Sequence, residues 1–531
     1  MTGPAHLGGA RRRWTGRWAG ARLGRTGGLL LLLALLAVQG WVYRYPEVLF
    51  KRPQGYHAWR QSDCLSMTWH YMEQDLPPWE GRMHFLGTDG TGRALSELPL
   101  LPYGIGRLWR LTGPQEWLYR AVVLLLSLGG MIALYRTAHL LLKDGVLSAW
   151  VAAFLFTSPM VAYYANNFLP NAAALALALM GTYPAAAGLV RGDRRKTLLA
   201  IALFTAAGLL KATAALGLLV LLALHGLQLI TRRNTATGSA DRRAHGVALL
   251  GGGFGLALIA AWYGYARAYN AGQAQGIFLI GVLPWWSVPP DEARAVWQGF
   301  LDHVRRDYLR PDLYLVLLAV LVPALLAPRR VPRLLWAAVV LLACGTVAIG
   351  VLFFGALRDH DYYTLDQAIL FPALLLTGLA ALVKGHPQLC RSWPFQVILL
   401  AVLVHGTDFA RRRMADRYGT WMNHEYLAQH EPLGRMQHEL LRMGVDRDAR
   451  VLCFPDISFN RSLYLLQRSG WTDFGALSDD PEAIRAKQRL GASFLITTSD
   501  SVLGKSTLRP FLNRPVGRFE NVRVFDLRPA P

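Results

Sequence analysis

The sequence predicts an all-α polytopic membrane domain of about eleven transmembrane helices, followed by a small C-terminal extracytoplasmic α/β domain. Three observations predict it. Of the 531 residues, 53% are hydrophobic and 17% charged, with a mean hydropathy of +0.25. The apolar residues gather into blocks close to the roughly 17 to 25 that a bilayer core demands of a helix. Arginine and lysine fall in the short connections on alternate sides of those blocks, as cytoplasmic loops require. Beyond Thr407 the pattern changes to short β-rich runs separated by a helical stretch.

The elements follow in order. Residues 1–26 form a basic head with Arg11, Arg12, Arg13, Arg17, Arg22 and Arg25, and then "GLLLLLALLAVQGWVY" reads as an uncleaved first span that starts in the cytoplasm. Span two runs from Trp117 to Leu142, span three from Leu147 to Tyr163, and span four from Ala172 to Val190, ending at "RGDRRK". A tight pair follows, Thr197 to Leu210 and Thr213 to Ile230, ending at "TRR" and "DRR". Spans seven to eleven are Val247 to Tyr265, Leu313 to Leu326, Leu334 to Phe354, Ala368 to Val383 and Pro394 to His405. The membrane domain is thus 27–406, its long first outer loop 45–116, and the soluble domain 407–531. In the latter, "RVLCFP" and "ASFLIT" read as strands, "PEAIRAKQRLG" as a helix stopped by Gly491, and "GRFENVRVFDL" as a terminal hairpin.

Composition also excludes. The net charge of +22 sits largely in topological arginines, and no nucleic-acid-binding motif accompanies it. The four cysteines, Cys64, Cys344, Cys390 and Cys453, have neither metal-type spacing nor a disulfide framework.

Charged and polar groups at membrane depth are costly, so clusters of them read as functional by default. Four occur: "HAWRQSD" in the first outer loop, "ANNFLPN" between spans three and four, Lys211 between spans five and six, and "RDHDYYTLDQ" between spans nine and ten. Each alone has an ordinary reading. Trp59 suits an interfacial anchor and Arg60 a snorkelling cation, while Asn166 and Asn171 suit caps of a turn and a helix. All four fall on the outer side, which ordinary loops would not do together.

These motifs carry a resemblance. "HAWRQSD", then "ELPLLPYGIGRLWRLTG", "NNFLPNAAALALALMG" and "DHDYY", in this order over roughly residues 28–385, resemble the GT-C membrane glycosyltransferases. The branch in question contains the protein O-mannosyltransferases and the aminoarabinose transferase of lipid A. One departure stands out: Asp63 is followed by Cys64, where that branch often has a second acid.

The resemblance implies transfer, on the outer face, of a sugar carried by a polyprenyl phosphate to a glycan, lipid or protein acceptor. Inverting transfer needs a carboxylate to take the acceptor's proton and cations to hold the departing phosphate. Asp63 is the expected base, with Glu97 in "SELPLLPY" as a second catalytic carboxylate. Arg60, Lys211 and Arg358 are phosphate candidates, and His57, Asn167, His360, Tyr362 and Tyr363 complete the expected binding set. No particular cofactor is indicated; a divalent metal is conceivable on His57, Asp63, His360 and Asp361, which are suitable ligands, although no tight ligand spacing supports it. The setting expected is a bacterial inner membrane, with the N-terminus cytoplasmic and the C-terminal domain periplasmic. A transporter or flippase, or a polymerase or ligase of polyprenyl-linked glycans, remains an alternative reading of the same pattern.

Overall fold

The structure is a computed structural model that describes residues 20–231, 242–272, 277–278 and 280–529. Arg11, Arg12, Arg13 and Arg17 of the basic head, and Arg232, Arg233 and Asp241 of the "TRR" and "DRR" ends, lie outside the described residues.

Helix α1, Arg25–Val42, is apolar and largely exposed, as a lipid-facing helix should be. The first loop folds into α2, Ala58–Glu73, and α3, Leu100–Thr112. Arg110 of α3 donates to the carbonyls of Met72 (2.8 Å) and Gln74 (2.5 Å), satisfying the orphan end of α2. Helix α4, Glu116–Leu142, crosses back. Predicted span three is two helices, α5, Gly145–Leu155, and α6, Pro159–Ala165, bent by 81° at a break. The cause is local: Ser158 caps α6 and Pro159 occupies its first turn, where no N–H is needed.

Helix α7, Pro170–Arg191, is followed by α8, Arg194–Leu210, which Asp193 caps. Lys211 then breaks the chain in an extended conformation, and α9, Leu216–Thr231, continues after one 3₁₀ turn. The remaining long helices are α10, Arg242–Tyr269; α11, Pro290–His303, which meets α12, Pro311–Leu326, at 78°; and α13, Arg333–Leu352. A 3₁₀ stretch, Asp361–Ile369, leads into α14, Leu370–Gly385, and α15 is Trp393–Tyr418.

Among the described residues, eight helices are long and apolar enough to cross a membrane, or up to ten if each bent pair is one span. The chain is a multi-pass membrane protein. Predicted span five corresponds to α8, which has 17 residues. Span eleven, expected to end at His405, runs on to Tyr418. The extension is polar, and Arg411, Arg412 and Arg413 each pair with an aspartate one turn away, the intrahelical spacing that supports a helix in water.

The C-terminal sheet has five strands in the order β2-β1-β3-β5-β4. Strand β1, Arg450–Phe454, pairs in parallel with β2, Gly470–Thr472, and with β3, Ala492–Thr497; β4, Pro515–Phe519, and β5, Val522–Asp526, form the antiparallel hairpin. The first loop adds itself to the free edge of β2. Leu86 N–H donates to Gly470 O and Gly470 N–H to His84 O, both at 2.9 Å, and Trp471 donates to Gly87 O at 2.6 Å. Gly470 is required there, because a Cβ would come within 1.8 Å of Val451 O. Loop and sheet therefore seat together over one end of the helix bundle, called the sheet end below.

Candidate active site

At the sheet end a cavity of about 590 Å³ opens between α2, the Ser96–Glu97 segment, the Lys211 break, α10 and the Phe353–Tyr363 connection. Its walls bring together seven residues expected from sequence: Arg60, Asp63, Glu97, Lys211, His360, Tyr362 and Tyr363. Arg60 and Tyr363, the first and the last, are 303 positions apart, and the helix ends are what gather them.

The "HAWRQSD" segment is pinned from behind. Gly55 adopts φ +76°, and its backbone lies so near Arg417 O that a Cβ would come within 2.5 Å. Tyr56 N–H donates to the same carbonyl (3.1 Å), and Gln61 donates to the carbonyls of Gln54 and Tyr56. Helix α2 starts at Ala58 from that fixed turn, so Arg60 and Asp63, three residues apart, share its cavity face.

Arg60 donates to Glu97 Oε2 at 2.7 Å and to Ser96 at 3.2 Å, lies 3.8 Å from Asp63 Oδ2, and covers the Phe278 ring at 4.6 Å. Lys211 Nζ stands 3.6 Å from the other Glu97 oxygen and 4.1 Å over the Tyr363 ring. Lys211 sits here because it lacks the intrahelical position its neighbours hold; the break between α8 and α9 presents it at the cavity wall. His360 stacks against both Tyr362 and Tyr363, with ring centroids 5.3 and 5.8 Å away, and the two tyrosine rings are themselves 5.3 Å apart. Burial lowers its imidazole to about 4, so it is neutral at physiological pH.

The two carboxylates are set apart electrostatically. Burial raises the Asp63 carboxyl to about 6, against the opposing pull of Arg60 and of a hydrogen bond from Asn460. Burial would also raise Glu97, but Arg60 and then Lys211 outweigh it and hold Glu97 down at about 2. One group is poised near neutrality and the other is permanently charged.

Three expected residues lie elsewhere. His57, held at φ 54°, is not in the cavity lining but behind it, its ring 4.8 Å from that of Tyr362, and meets Asp361 at 3.2 Å. Asn167 is fully buried, its Oδ1 accepting from the Phe168 N–H at 2.7 Å. Arg358 is half exposed, 3.5 Å from Asp359. Asp361 also parts from its neighbours, since successive residues of a 3₁₀ turn point about 120° apart. It accepts from Tyr164 (2.5 Å) and pairs with Arg417, which in turn lies 3.0 Å from Asp307. The tetrad His57, Asp63, His360 and Asp361 is consequently not assembled, and among the described residues no three histidine, cysteine or acidic side chains group to hold a metal ion.

Sequence reasoning missed Asn460, Arg267, Tyr263 and Thr213. Asn460 Nδ2 donates to Asp63 Oδ1 at 2.7 Å, while its Oδ1 accepts from Phe85 N–H (2.9 Å) and Ser66 (3.3 Å). Nothing local in "SFNRS" marks it. Tyr263 and Arg267 are findable as an i, i+4 pair at the sheet end of span seven, where a cation beside an apolar span asks for a reason.

No protein-family model matches the chain, and no curated protein matches it in sequence. Solved structures do match in fold. The aminoarabinose transferase ArnT from Cupriavidus metallidurans, in its apo state, is 14% identical and superposes with a TM-score of 0.59 over 94% of this chain and 98% of its own. The same protein bound to undecaprenyl phosphate gives 16% and 0.54 over 93% and 97%. The Archaeoglobus fulgidus oligosaccharyltransferase gives 11% and 0.56 over 88% and 69%. The mycobacterial arabinofuranosyltransferase AftD gives 14% and 0.53, this chain spanning 40% of it. With its bent spans, its long folded first loop and the soluble sheet seated over one end, the chain has the GT-C fold.

Proposed function

We propose that this protein is a glycosyltransferase that moves a sugar from a polyprenyl-phosphate carrier to an acceptor at the sheet end of the membrane, with inversion. The observation that carries the reading is the juxtaposition, in one cavity, of a carboxylate near pH 6 with Arg60, Lys211 and the additional cation Arg267. A neighbour of the same fold is known with undecaprenyl phosphate bound, and another with dolichol phosphate and an inhibitory peptide.

In this reading Asp63 Oδ2, the oxygen that Asn460 leaves free, takes the proton of the acceptor hydroxyl or amine as that group attacks the anomeric carbon. The bond from that carbon to the phosphate oxygen breaks, and the phosphate leaves with growing negative charge. Arg60 and Lys211 stand against that charge, and Glu97 holds both in place between turnovers. Glu97 is too acidic to act as the base, so its part is to position the cations. Tyr362, Tyr363 and His360 form an aromatic wall suited to the sugar.

The test is a single-turnover assay of purified protein with a radiolabelled polyprenyl-phosphate sugar, after mass spectrometry of surface glycans and glycoproteins from cells with and without the protein has identified the product. A product difference abolished by Asp63→Asn supports the reading. An unchanged glycan profile with no sugar released from the carrier refutes it and favours a transporter.

A further inference from the structure

A second cavity lies at the opposite end of the bundle. The 17 residues of α8 separate it from Lys211, roughly 25 Å at helical rise. It holds about 280 Å³ between the end of α7, the start of α8, the end of α9 and the start of α10. Arg191 and Arg194 stand in its wall, and none of its lining residues among those described is acidic. The nearby Asp193 is engaged: it caps α8 by accepting from Lys196 N–H at 3.2 Å, and its other oxygen is 3.7 Å from Lys196 Nζ.

The wall also contains buried polar groups with no partner among the described residues. His225 and His245, 4% and 7% exposed, touch through their Nδ1 atoms at 2.9 Å. One ring must donate there and the other accept. His225 Nε2 has no partner, nor do Nε2 and Oε1 of Gln228, which is 4% exposed. Unpaired buried groups of this kind are rare and call for a ligand.

A metal ion is a poor candidate, because the two Nδ1 atoms already face each other across a proton and no third ligand among the described residues joins them. An anion suits two guanidinium groups and an amide N–H. The free Gln228 Oε1 asks in addition for a donor beside the anion. The apolar side of the cavity, Leu189, Leu198 and Val247, offers a face to acyl chain.

We propose that this cavity binds one phosphate group, that of a phospholipid headgroup carrying hydroxyl or amino donors, in the leaflet opposite the active site. Arginine placement makes that leaflet the cytoplasmic one.

The full chain, purified in detergent, is titrated by native mass spectrometry with phosphatidylglycerol or phosphatidylcholine of the same acyl chains. A parallel arm measures the melting temperature with inorganic phosphate against chloride at equal ionic strength. Wild type should retain phosphatidylglycerol over phosphatidylcholine by roughly thirtyfold, a preference of the size two arginines provide. Arg191→Ala with Arg194→Ala should remove the preference, and Gln228→Leu, which keeps the size of the side chain, should weaken it while leaving the melting temperature without lipid intact. Arg329→Ala with Arg333→Ala, on the same side but outside the cavity, should leave it unchanged. A melting shift with inorganic phosphate in wild type alone, without lipid preference, makes the ligand free phosphate and retains the site. Equal lipid retention by wild type and the Arg191/Arg194 variant, with no response to phosphate, overturns the proposal.

Discussion

Two charge clusters sit close together at the sheet end, and they differ in what their charges face. In the Asp361 cluster, His57, Tyr164, Arg417, Asp307 and His303 surround one another, and the Asp361 side chain is fully buried. In the Asp63 cluster the same residue types line an open cavity of about 590 Å³. The first cluster ties α6, α11, α14's leading turn and α15 to the base of the first loop. The second leaves its charges toward a space that a substrate can fill. Clustered charge therefore takes two forms in one protein, mutually paired or facing a cavity, and the sequence signal for both is the same.

The comparison is sharpest where a charge is removed. Arg417→Met should have the largest effect: it removes the guanidinium that Asp361 and Asp307 share and costs about 3–5 kcal/mol of stability, as breaking a buried ion pair does. The measurement is the melting temperature in detergent, and a variant as stable as wild type would mean the paired cluster does not hold the fold. Asp63→Asn should do the converse, preserving melting while reducing transfer by about a hundredfold or more. Wild-type turnover by that variant moves the base elsewhere.

Lys211→Met should weaken donor affinity by roughly tenfold, about 1.4 kcal/mol, with the fold intact. Undiminished affinity removes Lys211 from the phosphate site. A smaller effect tests the sheet domain. With Asp63 near 6, kcat/KM should fall as pH drops below about 6, because protonated Asp63 cannot accept a proton. The Asn460 hydrogen bond favours the charged form, so Asn460→Ala should move that acid limb to higher pH. A purely structural Asn460 would lower yield and leave the limb in place. Arg358→Ala, by its exposure, should change stability and donor use by no more than about 0.5 kcal/mol.

The gap between reading and structure is instructive at single residues. Arg60, Asp63 and Lys211 were legible because a charge beside an apolar span needs an explanation, and that rule is local. Arg358 met the same rule and failed it, since a half-exposed arginine beside Asp359 is already solvated and paired. The chemistry of His57 suits a binding residue and that of Asp361 a metal ligand, yet the left-handed turn at His57 directs the two to each other. The break that makes α5 and α6 two helices was written in Ser158 and Pro159, but its 81° angle depends on the helices packed around it.

Hydropathy, arginine placement and the four polar motifs determined, from the sequence alone, the helical membrane class, the terminal α/β pattern and most of the cavity's polar wall. Those properties are set by solvation of individual segments, which each segment carries with it. The tertiary structure alone decided that Asn460, 397 positions from Asp63, completes the carboxylate's hydrogen bonding, that Glu97 is locked between two cations while Asp63 is not, and that the first loop extends the sheet. Each of these depends on distances between segments far apart in the chain, and the field at a carboxylate is fixed by which charges packing brings within a few ångströms of it.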